Sequence, residues 1–399
     1  MALRQLSQTY PGCRENRGLR PRHLQQPRST GQQAVCTKSA PTLNSVPGTV
    51  VNAGAPLSAY AARSTLVVDK DTSERAARSQ LPVNAPEYSA FAKPEYNPYK
   101  MSMGLERLEF EDWIEVDEGY REELLLRNKL LDEQRDVVYS SLPIPEADAA
   151  NREMLQLLAN FLPGRFPQLF HRSGRMLTNL VTDMTWNLDD PDLDHLDVCG
   201  RLVQEDLCLM ADVEGELRFV SGVVCFPQRW TIGEKIGMNM ERIHDPVPRF
   251  NQQLGRSVGG FMSRLAPGKP FWRINWAVSD NPDLFQPVAE DLIVQTNSGL
   301  IWNGEGISAE NAGKRLFTRS ERETLSRFPQ TGAILFSIRT YIRPLQTFVQ
   351  RPADAARLSQ AIRNLPEDIK RYKTMTSTYQ SAVDYLDGIV ADAAATPGC

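Results

Sequence analysis

Three short segments, far apart in the chain, dictate most of what it can become. Residues 217–226 (LRFVSGVVCF), 271–278 (FWRINWAV) and 334–342 (ILFSIRTYI) are dense in β-branched and aromatic residues. Such runs suit a pleated, partly buried surface and predict strands. Pro227 closes the first, since proline cannot continue a central ladder. Helical spacing flanks them. Residues 120–139 place Leu124, Leu125, Lys129 and Leu131 on helical positions, and 147–162 form a second helix that Pro163-Gly164 stops. Residues 354–364, 366–376 and 378–390 read as three more helices. The combination predicts an α+β fold, a mainly antiparallel sheet with flanking helices.

The first hundred residues contribute little to that core. Residues 1–45 carry seven Arg/Lys against one acid, Glu15, leaving 38 basic and 48 acidic residues in the rest. An Arg-, Gln- and Ser-rich, acid-poor leader suits a transit peptide, and equally a disordered tail. Residues 46–100 are poor in large apolar side chains and repeat prolines at Pro82, Pro86, Pro94 and Pro98, so extended or disordered chain is expected to 96. The domain is expected over 97–390, with a tail at 391–399. The net charge of −4 argues against a nucleic-acid-binding surface, and no apolar run is long enough for a membrane span. The address read from this is intracellular: mitochondrion or plastid if the leader is a transit peptide, cytoplasm otherwise.

Familiar catalytic signatures are missing. The six cysteines form no C-x-x-C pair, and a reducing compartment without structural disulfides is expected. Of the four histidines, no two are spaced i, i+3 or i, i+4. H-E-x-x-H, G-x-S-x-G, the Walker A loop and G-x-G-x-x-G are all absent. Any histidine chemistry must come from one residue acting alone.

Four segments could carry chemistry. In FPQRWTIGEKIGMNMERIHDPVPRF (226–250), Thr231 and Glu234 make a capping box, predicting a helix from about Ile232 to about Ile243. The D-P-V-P that follows cannot stay helical, which leaves His244 at the helix end on a stiff turn. That position is more commonly a C-capping histidine on the helix dipole, and it also suits a lone axial ligand. In 318–341, Ser320 with Glu323 predicts another capped short helix. Its Arg319/Glu323 and Glu323/Arg327 pairs make either a solvent face or an arginine cluster for an anion. In WRINW (272–276), Arg273 and Asn275 share one face and three large apolar residues the other. In VQEDL (203–207), the acids Glu205 and Asp206 precede a strand-like run; they are either ordinary exposed acids or a carboxylate pair for a cation.

Taken together, VQEDLCLM (203–210), VVCFPQRWTIGEKIG (223–237), IHDPVP (243–248), WRINW (272–276) and RSERETLSRFPQTGAILFSIRTY (319–341) resemble the haem-dependent oxidative N-demethylase-like family. The resemblance covers about residues 97–385. It implies a PAS-like antiparallel sheet with flanking helices enclosing a pocket for haem b. It implies oxidation of a small secondary amine such as dimethylamine with O₂, giving a primary amine and formaldehyde. Electrons would come from NADPH through flavin and iron–sulfur partners, on a separate reductase subunit or protein. A haem-binding sensor or carrier without turnover is the alternative, since fold does not fix function. Within this resemblance His244 becomes the axial ligand, with His171 as runner-up; His195 lies in an Asp-rich loop and His23 in the leader. Arg229, Lys235, Arg273 and Arg319 become partners for the haem propionates, and Glu205 and Asp206 the recognisers of an alkylammonium.

Overall fold

In the computed structural model, residues 99–287 and 304–395 are described. The expectations for the leader to 96, for His23 and for the last residues of the tail lie outside them. The N-terminal part contains β1 (Glu106–Arg107), α1 (Tyr120–Glu133), α2 (Arg135–Val138), β2 (Tyr139–Ser141) and α3 (Pro145–Arg165). A three-stranded meander follows: β3 (Phe170–Ser173), β4 (Met176–Asn179) and β5 (Met184–Asn187). Then come α4 (His195–Leu202), β6 (Asp206–Val213), β7 (Glu216–Val223), the single-turn α5 (Met240–Ile243), α6 (Arg256–Arg264) and β8 (Phe271–Ser279). The C-terminal part holds α7 (Ala309–Arg315), β9 (Phe317–Arg327), β10 (Ile334–Pro344), α8 (Pro352–Asn364), α9 (Glu367–Tyr372) and α10 (Tyr379–Ala395).

The main sheet has seven strands in the order β1-β8-β9-β10-β6-β7-β2, every pair antiparallel. The α+β expectation and its three strands are therefore met. The alternation of a strand feeds two cores. From β6, Leu207 and Leu209 enter one core with α1, α3 and α4; Cys208 and Met210 enter another with α6 and the 230–250 segment. A third core joins the C-terminal helices to Val278. Cys199, Cys208 and Cys225 are buried free thiols. No helix of the described residues is long and apolar enough to cross a membrane.

Three helix expectations change. Residues 319–327 belong to β9, not to a capped helix. Strand pairing wins because both flanks are available: β8 and β10 register against β9 over nearly its whole length. Glu323 then meets Arg273 across the ladder instead of Arg319 or Arg327 along a helix. The Thr231/Glu234 capping box does form, but it starts only a 3₁₀ turn, Ile232–Glu234. Gly237 at φ 79° then reverses the chain, which ends any helix there. Helix α3 also continues through Pro163. The proline frees the Ala159 carbonyl four residues back, and Arg172 Nη1 donates to that oxygen at 3.1 Å.

Candidate functional site

The histidine turn is built from its backbone outward. Val220 is the extra residue of a bulge, because Met210 registers with Phe219 while Leu209 registers with Ser221. The Phe219 amide and carbonyl then bind the Met238 carbonyl (2.9 Å) and the Gly237 amide (2.7 Å). That clips the 237–239 segment to the edge of β7. Asn239 caps α5 by accepting the Arg242 amide at 3.0 Å. His244 follows at the helix end, as the D-P-V-P sequence anticipated. Its Nδ1 lies 2.8 Å from the Met240 carbonyl oxygen, and its ring stacks on Phe250 at 3.9 Å and 9°. With Nδ1–H donating to Met240, Nε2 is the lone-pair nitrogen; it has no hydrogen-bond partner among the described residues. Burial lowers the His244 pKa to about 4, the Lys235 and Arg273 charges push the same way, and the Met240 bond opposes them. The ring is therefore neutral near pH 7, which is the form that coordinates metal.

The sheet beside this turn is incompletely covered. Every residue from Phe271 to Trp276 is half-buried, and so are Phe336 and Ile338. Arg273 keeps 32% of its side-chain surface although its charge is paired with Glu323 and its Nη1 donates to the Met103 carbonyl. Burial works against that charge, but Glu323 and Glu321 outweigh it and raise the pKa. Lys235 donates to the Ile243 carbonyl at 3.4 Å and lies over the Trp230 ring at 4.7 Å; burial lowers its pKa. Lys373 reaches the same face from the C-cap of α9, donating to Asn275 Oδ1 and the Trp276 carbonyl. Burial brings its pKa down to about 8. A groove of about 760 Å³ runs past Met240 and Glu241 between the β6–β7 turn, α6 and the β9–β10 turn. A smaller cavity of about 140 Å³ joins Met240 to Phe250 and Val258.

A family model described as "Haem-dependent oxidative N-demethylase, alpha subunit-like" matches residues 104–383, well over half of the chain. The chain belongs to that family. The family's description speaks of haem dependence, oxidative N-demethylation and an alpha subunit. Among the described residues no three His, Cys, Asp or Glu side chains converge to hold a metal ion. A haem brings its own four nitrogen ligands and asks the protein for one or two more. In this N-demethylase-like chain the donor set around His244 fits that request: one neutral imidazole, its orientation fixed through Nδ1. Half-buried Trp230, Ile236, Ile243 and Phe336 offer apolar surface in the same core. Lys235 and Arg273 lie within electrostatic range of the His244 ring and disfavour its protonation.

The other expected residues have contacts of their own. Arg319 is 1% exposed and ties two loops, donating to the Phe226 and Leu284 carbonyls and pairing with Glu321. Burial lowers its pKa against the pull of Glu321. Arg229 sits at φ 64°, its amide bonded to the Gln286 carbonyl at 2.6 Å. Asp206 is consumed by the fold: Arg127 pairs with it at 2.7 Å, and it accepts the Cys225 and Phe226 amides. Glu205 is wholly buried and accepts the Glu115 amide at 2.9 Å. The two acids share no open pocket. His171 is exposed on β3, and His195 opens α4 behind its Asp194 cap. Two participants escaped sequence reasoning. Lys373 caps the end of α9, remote in sequence from β8. Arg249 binds Asp368, 119 residues away, through Nε (2.7 Å) and Nη2 (2.9 Å). Nothing in the sequence pointed to Arg249 or its partner; the φ of 68° at Arg249 is visible only in the structure.

Proposed function

We propose that the chain holds haem b through His244 Nε2 and oxidises a small secondary amine, such as dimethylamine, with O₂. The observation that carries this reading is the His244 imidazole itself: neutral, oriented by Met240, with Nε2 uncommitted. When bound, the haem supplies the site of oxygen activation. The chain's own residues do the rest. Met240 fixes the tautomer, Phe250 fixes the ring plane, and Lys235 and Arg273 meet the propionates. Arg319 braces the two loops at Phe226 and Leu284 through their carbonyls. For dimethylamine the balance is amine plus O₂, two electrons and two protons giving methylamine, formaldehyde and water. The electrons come from NADPH through flavin and iron–sulfur partner proteins, in keeping with a chain described as alpha-subunit-like.

Reconstitution with haem tests this directly. A Soret band is expected for the purified chain, and its loss or a marked shift in His244→Ala. A His244→Ala spectrum identical to wild type would refute the ligand assignment. Formaldehyde released from dimethylamine with an artificial reductant and O₂ identifies an enzyme. Haem binding without release for any secondary amine identifies a sensor or carrier.

A further inference from the structure

Between His244 and Phe250 the chain makes a closed turn. The Val247 amide bonds to the His244 carbonyl (2.9 Å), and the Phe250 amide to the Val247 carbonyl (3.2 Å). Asn251 Nδ2 spans back to the Glu241 carbonyl (3.2 Å) and to Asp245 Oδ1 (2.9 Å). The stacked rings of His244 and Phe250 are therefore the two ends of one turn. Phe250 comes back onto the imidazole because Arg249 adopts φ 68°, in the left-handed region that non-glycine residues avoid. Such a conformation persists only where the surroundings over-determine it. Here they do so through the bidentate fork onto Asp368 at the start of α9. The phenol of Tyr99 lies in the field of both charges.

The geometry points to Arg249 and Asp368 as a positioning pair for the His244 ring. They clamp the turn from outside, holding Phe250 against the imidazole from the C-terminal helical layer. Arg249 and Asp368 keep 36% and 35% of their side-chain surface, and pairs this exposed add little to global stability. Their bidentate geometry fixes direction, so the effect belongs to ring position more than to melting. This inference rests on the reading of His244 as ligand.

The test uses Arg249→Lys, which keeps the charge and loses the fork, and Asp368→Asn, which leaves the histidine turn untouched. Arg363→Ala, which cuts the Arg363–Asp387 pair in the same helical layer, is the control. Long-range ¹H–¹⁵N spectra of the haem-free chain report the tautomer and order of His244 among only four histidines. We expect both clamp variants to lose the ordered Nδ1–H signature. Their haem dissociation constants should rise about tenfold, the low end for groups that orient a metal ligand. Arg363→Ala should change neither, and the swap Arg249→Asp/Asp368→Arg should restore part of the signal. Wild-type imidazole signals and haem affinity in both clamp variants, or equal changes in Arg363→Ala, overturn the clamp. A wild-type chain without a Soret band sinks the haem reading separately, and the imidazole spectra still decide the clamp.

Discussion

Glu205 shows what one side chain can hide. It is fully buried, one oxygen accepts the Glu115 amide, and the other has no hydrogen-bond partner among the described residues. Burial raises its pKa from the ordinary 4.5 to about 7, more than the Arg339 charge can offset. Below pH 4.5 the carboxyl is protonated folded or unfolded. Between 4.5 and 7 the folded chain keeps a proton that the unfolded chain releases, so stability falls as pH rises through that window. The loss is on the order of 3 kcal/mol. Glu205→Gln should flatten this dependence. Urea unfolding of both chains at pH 5 and pH 7.5 checks it, and a slope unchanged by the substitution would count against it. Legibility at this scale was uneven. The V-Q-E-D-L acids stood out in sequence, but which of them the fold consumes depends on Arg127 and Glu115, which no local pattern announces.

At the scale of elements, the strands declared themselves wherever β-branched and aromatic residues clustered. Strand β9 did not, because T-R-S-E-R-E-T-L-S-R is a good helix sentence until neighbours exist on both sides. Its alternation reads correctly only against β8: Arg273 opposes Glu323 and Asn275 opposes Glu321. The hairpin that joins β9 to β10 depends on a distant helix as well. Glu153 of α3 accepts the Gln330 and Thr331 amides, both at 2.7 Å, and is itself buried. Hydrogen bonds to a charged group are worth about 1.5–3 kcal/mol each. Glu153→Ala should therefore destabilise the chain by roughly 2–4 kcal/mol. Hydrogen exchange at the 329–333 amides should accelerate with it; unchanged exchange there would mean that the turn holds itself.

For the molecule as a whole, Arg127 is the tie between layers. It leaves α1, bonds the Gly200 carbonyl at the end of α4, pairs with Asp206 at the start of β6 and lies over the Phe226 ring. Both charges are sealed, and removing one partner of such a pair costs about 3–5 kcal/mol. Arg127→Met should lower the denaturation midpoint accordingly, and a midpoint within error of wild type would show that the layers are joined elsewhere. The strand order has a further consequence in time. β6 pairs on one side with β7, its next element, but on the other with β10, where Leu207 meets Ser337. Asp368, which grips the histidine turn, lies further on still. During N-to-C synthesis the turn at 244–250 leaves the ribosome with its floor strands β8–β10 unmade and its outer grip unwritten. Such long-range closure is slow. The histidine turn gains its last contact only once residue 368 has been made, so its geometry is a late product of the chain.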